Sequence, residues 1–174
     1  MSTFPAAPAS GIVKLASTLA VLVLLAIAVS FSTASARHSL GAIVLVAMVL
    51  PPLVIGGTLL YAVRGYELEG STLRIQRPLW VTELRVGALE RAWHDEKAMS
   101  GSMRLFGNGG LFAITGWFRN KKLGRYRAFV TNPGQAVVLR GAAGTIVVSP
   151  AVPLAFLSHL RSHVAGIAIG PPGS

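Results

Sequence analysis

The stretch GWFRNKKLGRYRAFVTN, Gly116 to Asn132, concentrates the residue types that hold anions. Arg119, Lys121, Lys122, Arg125 and Arg127 fall within nine residues. Trp117, Phe118 and Tyr126 interleave with them, and Phe129 follows. The surrounding charge points the same way. All six acids lie between Glu67 and Glu96, whereas the segment from Lys97 onward holds nine Lys/Arg and no acid, in a chain of net charge +10. Such a field attracts polyanions and repels cations. Arg119, Lys121, Lys122, Arg125, Arg127 and Trp117 are therefore the candidate contact set, for anionic lipid headgroups or for a protein partner. The plain alternative is a solvated hairpin whose cations keep the domain soluble. Basic and aromatic residues also suit single-stranded nucleic acid, but no nucleic-acid module accompanies them, so nucleic acid is not an expected partner.

Other residues with chemical potential are sparser. His159 and His163 stand four apart, a spacing that can place two imidazoles on one metal, but no third ligand or HExxH glutamate joins them. His94, Asp95 and Glu96 offer acid and base types without a nucleophile. The GNGG at Gly107–Gly110 lacks the lysine and the following helix of a phosphate loop. The absence of cysteine excludes disulfides, thiolate metal sites and a thiol nucleophile. No catalytic, metal or cofactor residue is assigned, and the chain is expected not to be an enzyme.

The elements that position the basic stretch come in two kinds. Uncharged runs of 22 residues (15–36) and 25 residues (39–63) separate Lys14 from Arg37 and His38 from Arg64. Roughly 20 apolar helical residues cross a hydrocarbon core. Two transmembrane helices are expected, about 15–36 and 39–63, after a flexible N-terminus over 1–14. The pattern ASA at Ala34–Ala36 also fits signal-peptide cleavage. Pro51 and Pro52 would kink the second span or make it re-entrant. Gly41, Gly56 and Gly57 would let the two spans pack closely. The link carries Arg37, while the flank after the second span carries Arg64, Arg74 and Arg77. The cation bias puts that flank and the domain behind it in the cytoplasm, as part of a multi-pass protein of the inner membrane. Tyr61 and Tyr66 flank Arg64 as interface aromatics would.

Beyond Arg64 the hydrophobic period shortens to two. GYELEGSTLRIQRP reads as a hairpin turning at Gly70–Thr72, and WVTELRV as a third strand. ALERAWHDE is compatible with strand or helix, and strand is preferred. KAMSGSMRLFGNGG reads as a loop. LFAITGWFRN and YRAFVTN pair around KKLG, with Gly124 at the tight turn, and AVVLR pairs with TIVVS around GAAG. SPAVPLAFLSHLRSHVAG reads as a helix over about 151–165, with Ser149 as cap, Pro150 or Pro153 in the first turn and Gly166 at the end. Phe156, Leu157, Leu160 and Val164 form its apolar stripe. About seven antiparallel strands capped by this helix make a β domain over 65–166, with a tail at 167–174.

The glycines from Gly107 to Gly116, the Leu123–Gly124 and Thr131–Asn132 pairs, and VVSP leading into FLSHL resemble the bacterial pleckstrin-homology-like (PH) domains that follow two transmembrane helices. The resemblance implies an α+β membrane protein: a transmembrane helical hairpin, then a PH-like antiparallel β-barrel or sandwich with a C-terminal helix. It implies a binding or scaffolding module rather than an enzyme. Phosphoinositide-binding PH domains carry a basic signature across the first hairpin. Here that turn is ELEGST, and Arg74 and Arg77 lie three apart rather than two, so a generic anionic surface is expected instead. The expected partners are the membrane itself, anionic lipid, and a protein partner or second copy of the chain. A second expectation is an accessory subunit of an inner-membrane transport or envelope complex, with the spans making the essential contacts.

Overall fold

The computed structural model describes residues 2–35, 41–69, 72–86, 89–109, 112–164 and 166–172, with side-chain surroundings outside 31–48. It is an α+β chain with two helices near the N-terminus, α1 (Gly11–Ser35) and α2 (Gly41–Leu60), followed by two packed sheets and a third helix. One sheet has the order β1 (Ser2–Pro5), β2 (Gly65–Glu69), β3 (Thr72–Gln76), β4 (Val81–Arg85). The other includes β5 (Leu89–His94), β6 (Met103–Gly109), β7 (Ile114–Asn120), β8 (Gly124–Val130), β9 (Val137–Gly141), β10 (Gly144–Val148) and β11 (Ala168–Ile169), in the order β11-β5-β9-β10-β8-β7-β6. Helix α3 (Pro153–His163) packs beside β5 and β11.

Several expectations are corrected. The sheets form a sandwich, not a closed barrel, and they are mixed: β10 runs parallel to β8, and β11 runs parallel to β5. Residues 1–14, expected to be flexible, contain β1, which pairs antiparallel with β2 across the whole length of the two N-terminal helices in sequence. The 167–174 tail contains β11, secured by the Gly170 amide donating to the Ala92 carbonyl at 3.0 Å. The 97–110 loop contains β6, whose side chains are almost all exposed, so burial leaves no alternating signature in its sequence.

Helix α1 carries a 20-residue apolar run, Gly11–Ser30, long enough to cross a membrane by length and composition. Leu15, Leu19, Leu22 and Leu25 are exposed along it. In α2 the described apolar stretch, Val49–Leu60, is shorter than a span. The helix continues through Pro51 and Pro52. A Cβ added at Gly56 or Gly57 would meet nothing within 4 Å, so these glycines do not mediate the contact between α1 and α2. The surroundings of Gly41 and the link containing Arg37 lie outside the described residues. Tyr61 is exposed, but Tyr66 is fully buried and is no interface aromatic.

The larger sheet buries both faces, which explains the continuous apolar runs of β9 and β10. Val137, Leu139, Val148 and Phe129 face the four-stranded sheet and α3, together with Tyr66, Leu73, Ile75, Phe156 and Leu160. Val138, Val147, Ala128 and Val130 face a second cluster with Trp93, Phe118, Leu123 and Tyr126. A polar node crosses the seam between the sheets. The Tyr66 hydroxyl donates to the Phe129 carbonyl at 2.6 Å and accepts from the Ser149 amide at 3.0 Å. Ser149 Oγ accepts from the Thr131 amide at 2.9 Å, and Thr131 Oγ1 donates to the Ala7 carbonyl at 2.6 Å. Ser149 is thus not the helix cap; α3 starts at Pro153 behind Val152, whose side chain makes no capping bond.

Burial pushes the Tyr66 hydroxyl up to about 12. Below pH 10 the neutral hydroxyl is favoured in both folded and unfolded chains. Between pH 10 and about 12 only the unfolded chain ionises, so stability falls across that window, by roughly 2–3 kcal/mol. Tyr66→Phe should reduce this fall and cost about 1–3 kcal/mol at neutral pH, because the Ser149 amide and Phe129 carbonyl lose a buried partner. Chemical unfolding across the alkaline range reads both. Leu160→Ala, which empties a fully buried site under α3, should cost about 2–5 kcal/mol.

Candidate functional site

Strand register decides which parts of the basic stretch act together. In the β7–β8 hairpin Trp117 pairs with Arg127 and Arg119 with Arg125, while Phe118 pairs with Tyr126. Side chains alternate faces along a strand. Phe118 and Tyr126 therefore stack in the core, their ring centroids 6.0 Å apart. Trp117, Arg119, Arg125 and Arg127 share the opposite face, where the Arg125 guanidinium lies 4.5 Å over the Trp117 ring. The turn bears Lys121, exposed, and Lys122, which pairs with Asp95. Gly124, at φ 70, closes it, and Asn120 fixes it by accepting from the Leu123 amide at 2.7 Å and donating to the Ala98 carbonyl at 2.8 Å. The structure thus brings Trp117, Arg119, Arg125 and Arg127 together and leaves the two lysines apart from them.

The same face continues into a cleft of about 640 Å³ between α2 and the β6–β8 flank. Val54, Gly57 and Thr58 of α2, with Tyr61 just past its end, form one wall; Phe106, Trp117 and Phe129 contribute to the other. Arg77, Arg104 and Arg127 line it, and no acidic residue among the described residues does. Arg77 and Arg127 both lie against the Phe129 ring, at 5.4 and 5.0 Å from its centroid. Arg77 also lies over Tyr61 and Trp80, which meet edge to face. Its Nε is buried without a hydrogen-bond partner among the described residues. Burial lowers the Arg77 pKa from its ordinary value, and the like charge of Arg127 adds to that.

The opposite wall depends on two glycines. Gly107 (φ 113) and Gly116 (φ 137) face each other across β6 and β7, and a Cβ on either would collide with a carbonyl oxygen of the other strand. Beside them a register shift between Arg104 and Phe106 re-aims the strand at the cleft. Sequence reasoning missed Arg77, Arg104 and Phe106. The signal available was the glycine pair, a pattern that marks close backbone approach rather than a loop.

This arrangement, a two-sheet sandwich with a C-terminal helix over the seam, has a family match. The model of the bacterial PH domain family matches residues 64–164. The chain belongs to that family. No curated protein and no solved structure matches it. In this bacterial PH domain the first hairpin is electrostatically occupied: Arg74 pairs with Glu69 and, at 2.9 Å, with Glu83. Its connecting residues 70–71 lie outside the described residues.

The remaining candidates have structural partners. His94 lies 3.4 Å from the Gly134 carbonyl, and Asp95 is engaged by Lys122. The His159 and His163 rings lie 3.9 Å apart, with Phe4 of β1 packed on His159. Burial and then the adjacent His163 lower the His159 pKa from its ordinary value. Asn108 of GNGG lines the cleft, and Gly110 lies outside the described residues.

Gly116→Ala should detach β6 from β7 at a cost of about 1–3 kcal/mol, since alanine is strained at this φ and clashes with the Phe106 carbonyl. Amide exchange should accelerate over 103–109 while β9 and β10 stay protected.

Proposed function

We propose that the chain is a membrane-anchored PH module that binds or scaffolds at the cytoplasmic face of the inner membrane, does no chemistry itself, and addresses anionic lipid through the flank beside α2. The observation that carries this is the joining of both ends of the helix pair to one body. Residues 2–10 are bonded into the domain: Ala6 donates to the Arg64 carbonyl at 3.1 Å, Ala7 to that of Ser149 at 2.8 Å, and Ser10 to that of Thr131 at 3.2 Å. Both helices therefore leave and re-enter the domain from one side. A membrane entered by α1 and α2 would lie directly against it.

The level of the flank supports this. Val54 and Thr58 of α2 line the cleft, four residues of helix rising about 6 Å, and Tyr61 follows just past the helix end. The flank thus runs alongside the last two turns of α2, where an interface would fall. Trp117 and Phe106 are exposed there beside arginines, a composition suited to headgroup depth. Each basic residue near an anionic leaflet contributes about 1 kcal/mol. The second reading, an accessory subunit of a transport or envelope complex, has one specific support: the open glycine step at Gly56–Gly57, free for another helix.

Two experiments test the proposal. A reporter fused after Ser174 should be active only as a cytoplasmic fusion; periplasmic activity would overturn the orientation. For apposition, the full chain is reconstituted in phosphatidylcholine vesicles with and without phosphatidylglycerol. The emission assigned to Trp117, from the difference between wild type and Trp117→Phe, should shift to the blue with the anionic lipid. Replacing Arg119, Lys121 and Arg125 with Gln should reduce the shift, and salt near 1 M should do the same by shortening the Debye length to about 3 Å. Emission indifferent to lipid charge would leave the flank facing water or a protein.

A further inference from the structure

We infer that the cleft between α2 and the β6–β8 flank is a discrete site for the phosphate headgroup of one anionic glycerophospholipid, with Arg77, Arg104 and Arg127 around the phosphate and the acyl chain along α2. The inference rests on the membrane-apposed reading and sharpens it from a charged surface to a single bound molecule.

The charges make the first argument. Two guanidinium groups, Arg77 and Arg127, share the Phe129 ring, and Arg104 approaches from β6. The like charges of Arg77 and Arg127 repel each other, and no carboxylate among the described lining residues offsets them. Arg74 has Glu69 and Glu83 as partners and Lys122 has Asp95, whereas Arg77, Arg104 and Arg127, gathered on one cleft, have no carboxylate partner among the described residues. Arg77 also holds a buried Nε–H with no acceptor among the described residues, a group whose desolvation is repaid only by a hydrogen bond. A phosphate supplies what is missing: negative charge, and oxygens spaced for the guanidinium fork.

The walls make the second argument. A free inorganic anion needs no apolar lining. This cleft has Val54, Phe106, Trp117 and Phe129, and Gly57 leaves a groove along α2 because no side chain fills it. Its volume, about 640 Å³, lies within the roughly 300–1,000 Å³ typical of sites for molecules larger than phosphate. The cleft opens beside the apolar part of α2, where a lipid chain can stay in hydrocarbon while its headgroup meets the arginines. The described lining holds no carboxylate, imidazole or sulfur ligand, and its three arginines repel a metal cation.

The test uses the full chain in detergent and native mass spectrometry, with dimyristoyl phosphatidylglycerol as probe and the phosphatidylcholine of the same chain length as control. One phosphatidylglycerol should be retained saturably, in preference to phosphatidylcholine. Arg104→Gln and Arg127→Gln should each weaken its retention about tenfold, the loss of one charge-assisted hydrogen-bonded contact. Arg161→Gln, at an exposed position of α3 outside the cleft, should leave it within about twofold. Arg104 is exposed, so its variant keeps the test valid even if Arg127→Gln fails to fold. Retention unchanged by both cleft variants, or reduced equally by the surface variant, would overturn the cleft site while leaving membrane apposition standing. Equal retention of the two lipids would overturn the headgroup assignment; the Trp117 emission test then decides apposition separately. Displacement of the lipid by millimolar inorganic phosphate would show a free-anion site and overturn the lipid assignment.

Discussion

The arrangement depends on one buried polar node, the hydroxyls of Tyr66, Thr131 and Ser149 at the seam of the two sheets. Each partner comes from a different part of the chain: Tyr66 from β2, Thr131 from the end of β8, Ser149 from the end of β10. A buried hydroxyl without a partner costs free energy, so the three are tolerated only in the geometry that satisfies them all. That geometry fixes the register between the sheets. It also captures a fourth segment, because Thr131 Oγ1 takes the Ala7 carbonyl as its acceptor.

From that capture the rest follows. With Ala7 and Ser10 held at the seam, α1 begins against the domain, and Val13 and Ser17 are buried in its first turns. The Phe112 amide donates to Ser17 Oγ at 2.9 Å, bringing the start of β7 beside α1. Helix α2 returns to the same edge and enters β2 at Gly65, so its final turns stand against the β6–β8 flank. The cleft is the space left between them. Its basic lining is the local consequence of a domain whose acids lie away from the cleft and whose late segments carry none. The helix pair, node and cleft form one mechanical unit.

Much of this was legible in the sequence because β3 and β4 alternate in burial, while β9 and β10 form apolar runs bounded by turn residues. The β2–β3 hairpin, β4, β5, the β7–β8 hairpin with its Gly124 turn, the β9–β10 pair and α3 all follow from period and punctuation, and the PH resemblance agrees with the matched family. What was illegible has physical causes. β6 is an edge strand with exposed side chains and glycines, so it looks like a loop. β1 and β11 are short and draw their stability from partners distant in sequence, which period cannot show. Ser149 and Tyr66 looked like a cap and an interface aromatic, because nothing local tells a surface hydroxyl from a buried node. For the site, composition found Trp117 and Arg127, but Arg77 and Arg104 join them only through tertiary packing. Lys122, drawn to Asp95, shows the converse: adjacency in sequence does not make a shared surface.

The central claim is that the flank beside α2 lies at the membrane interface. The chain has no cysteine, so a single Phe106→Cys carries one nitroxide without competing labels. Phe106 is exposed and lines the cleft with Val54 of α2. Power-saturation electron paramagnetic resonance of the labelled full chain in phosphatidylglycerol-containing vesicles reads its depth. The account predicts stronger relaxation by oxygen, which partitions into lipid, than by a water-soluble nickel chelate. A label relaxed freely by the nickel chelate, and unchanged when the vesicles are replaced by detergent, would contradict it.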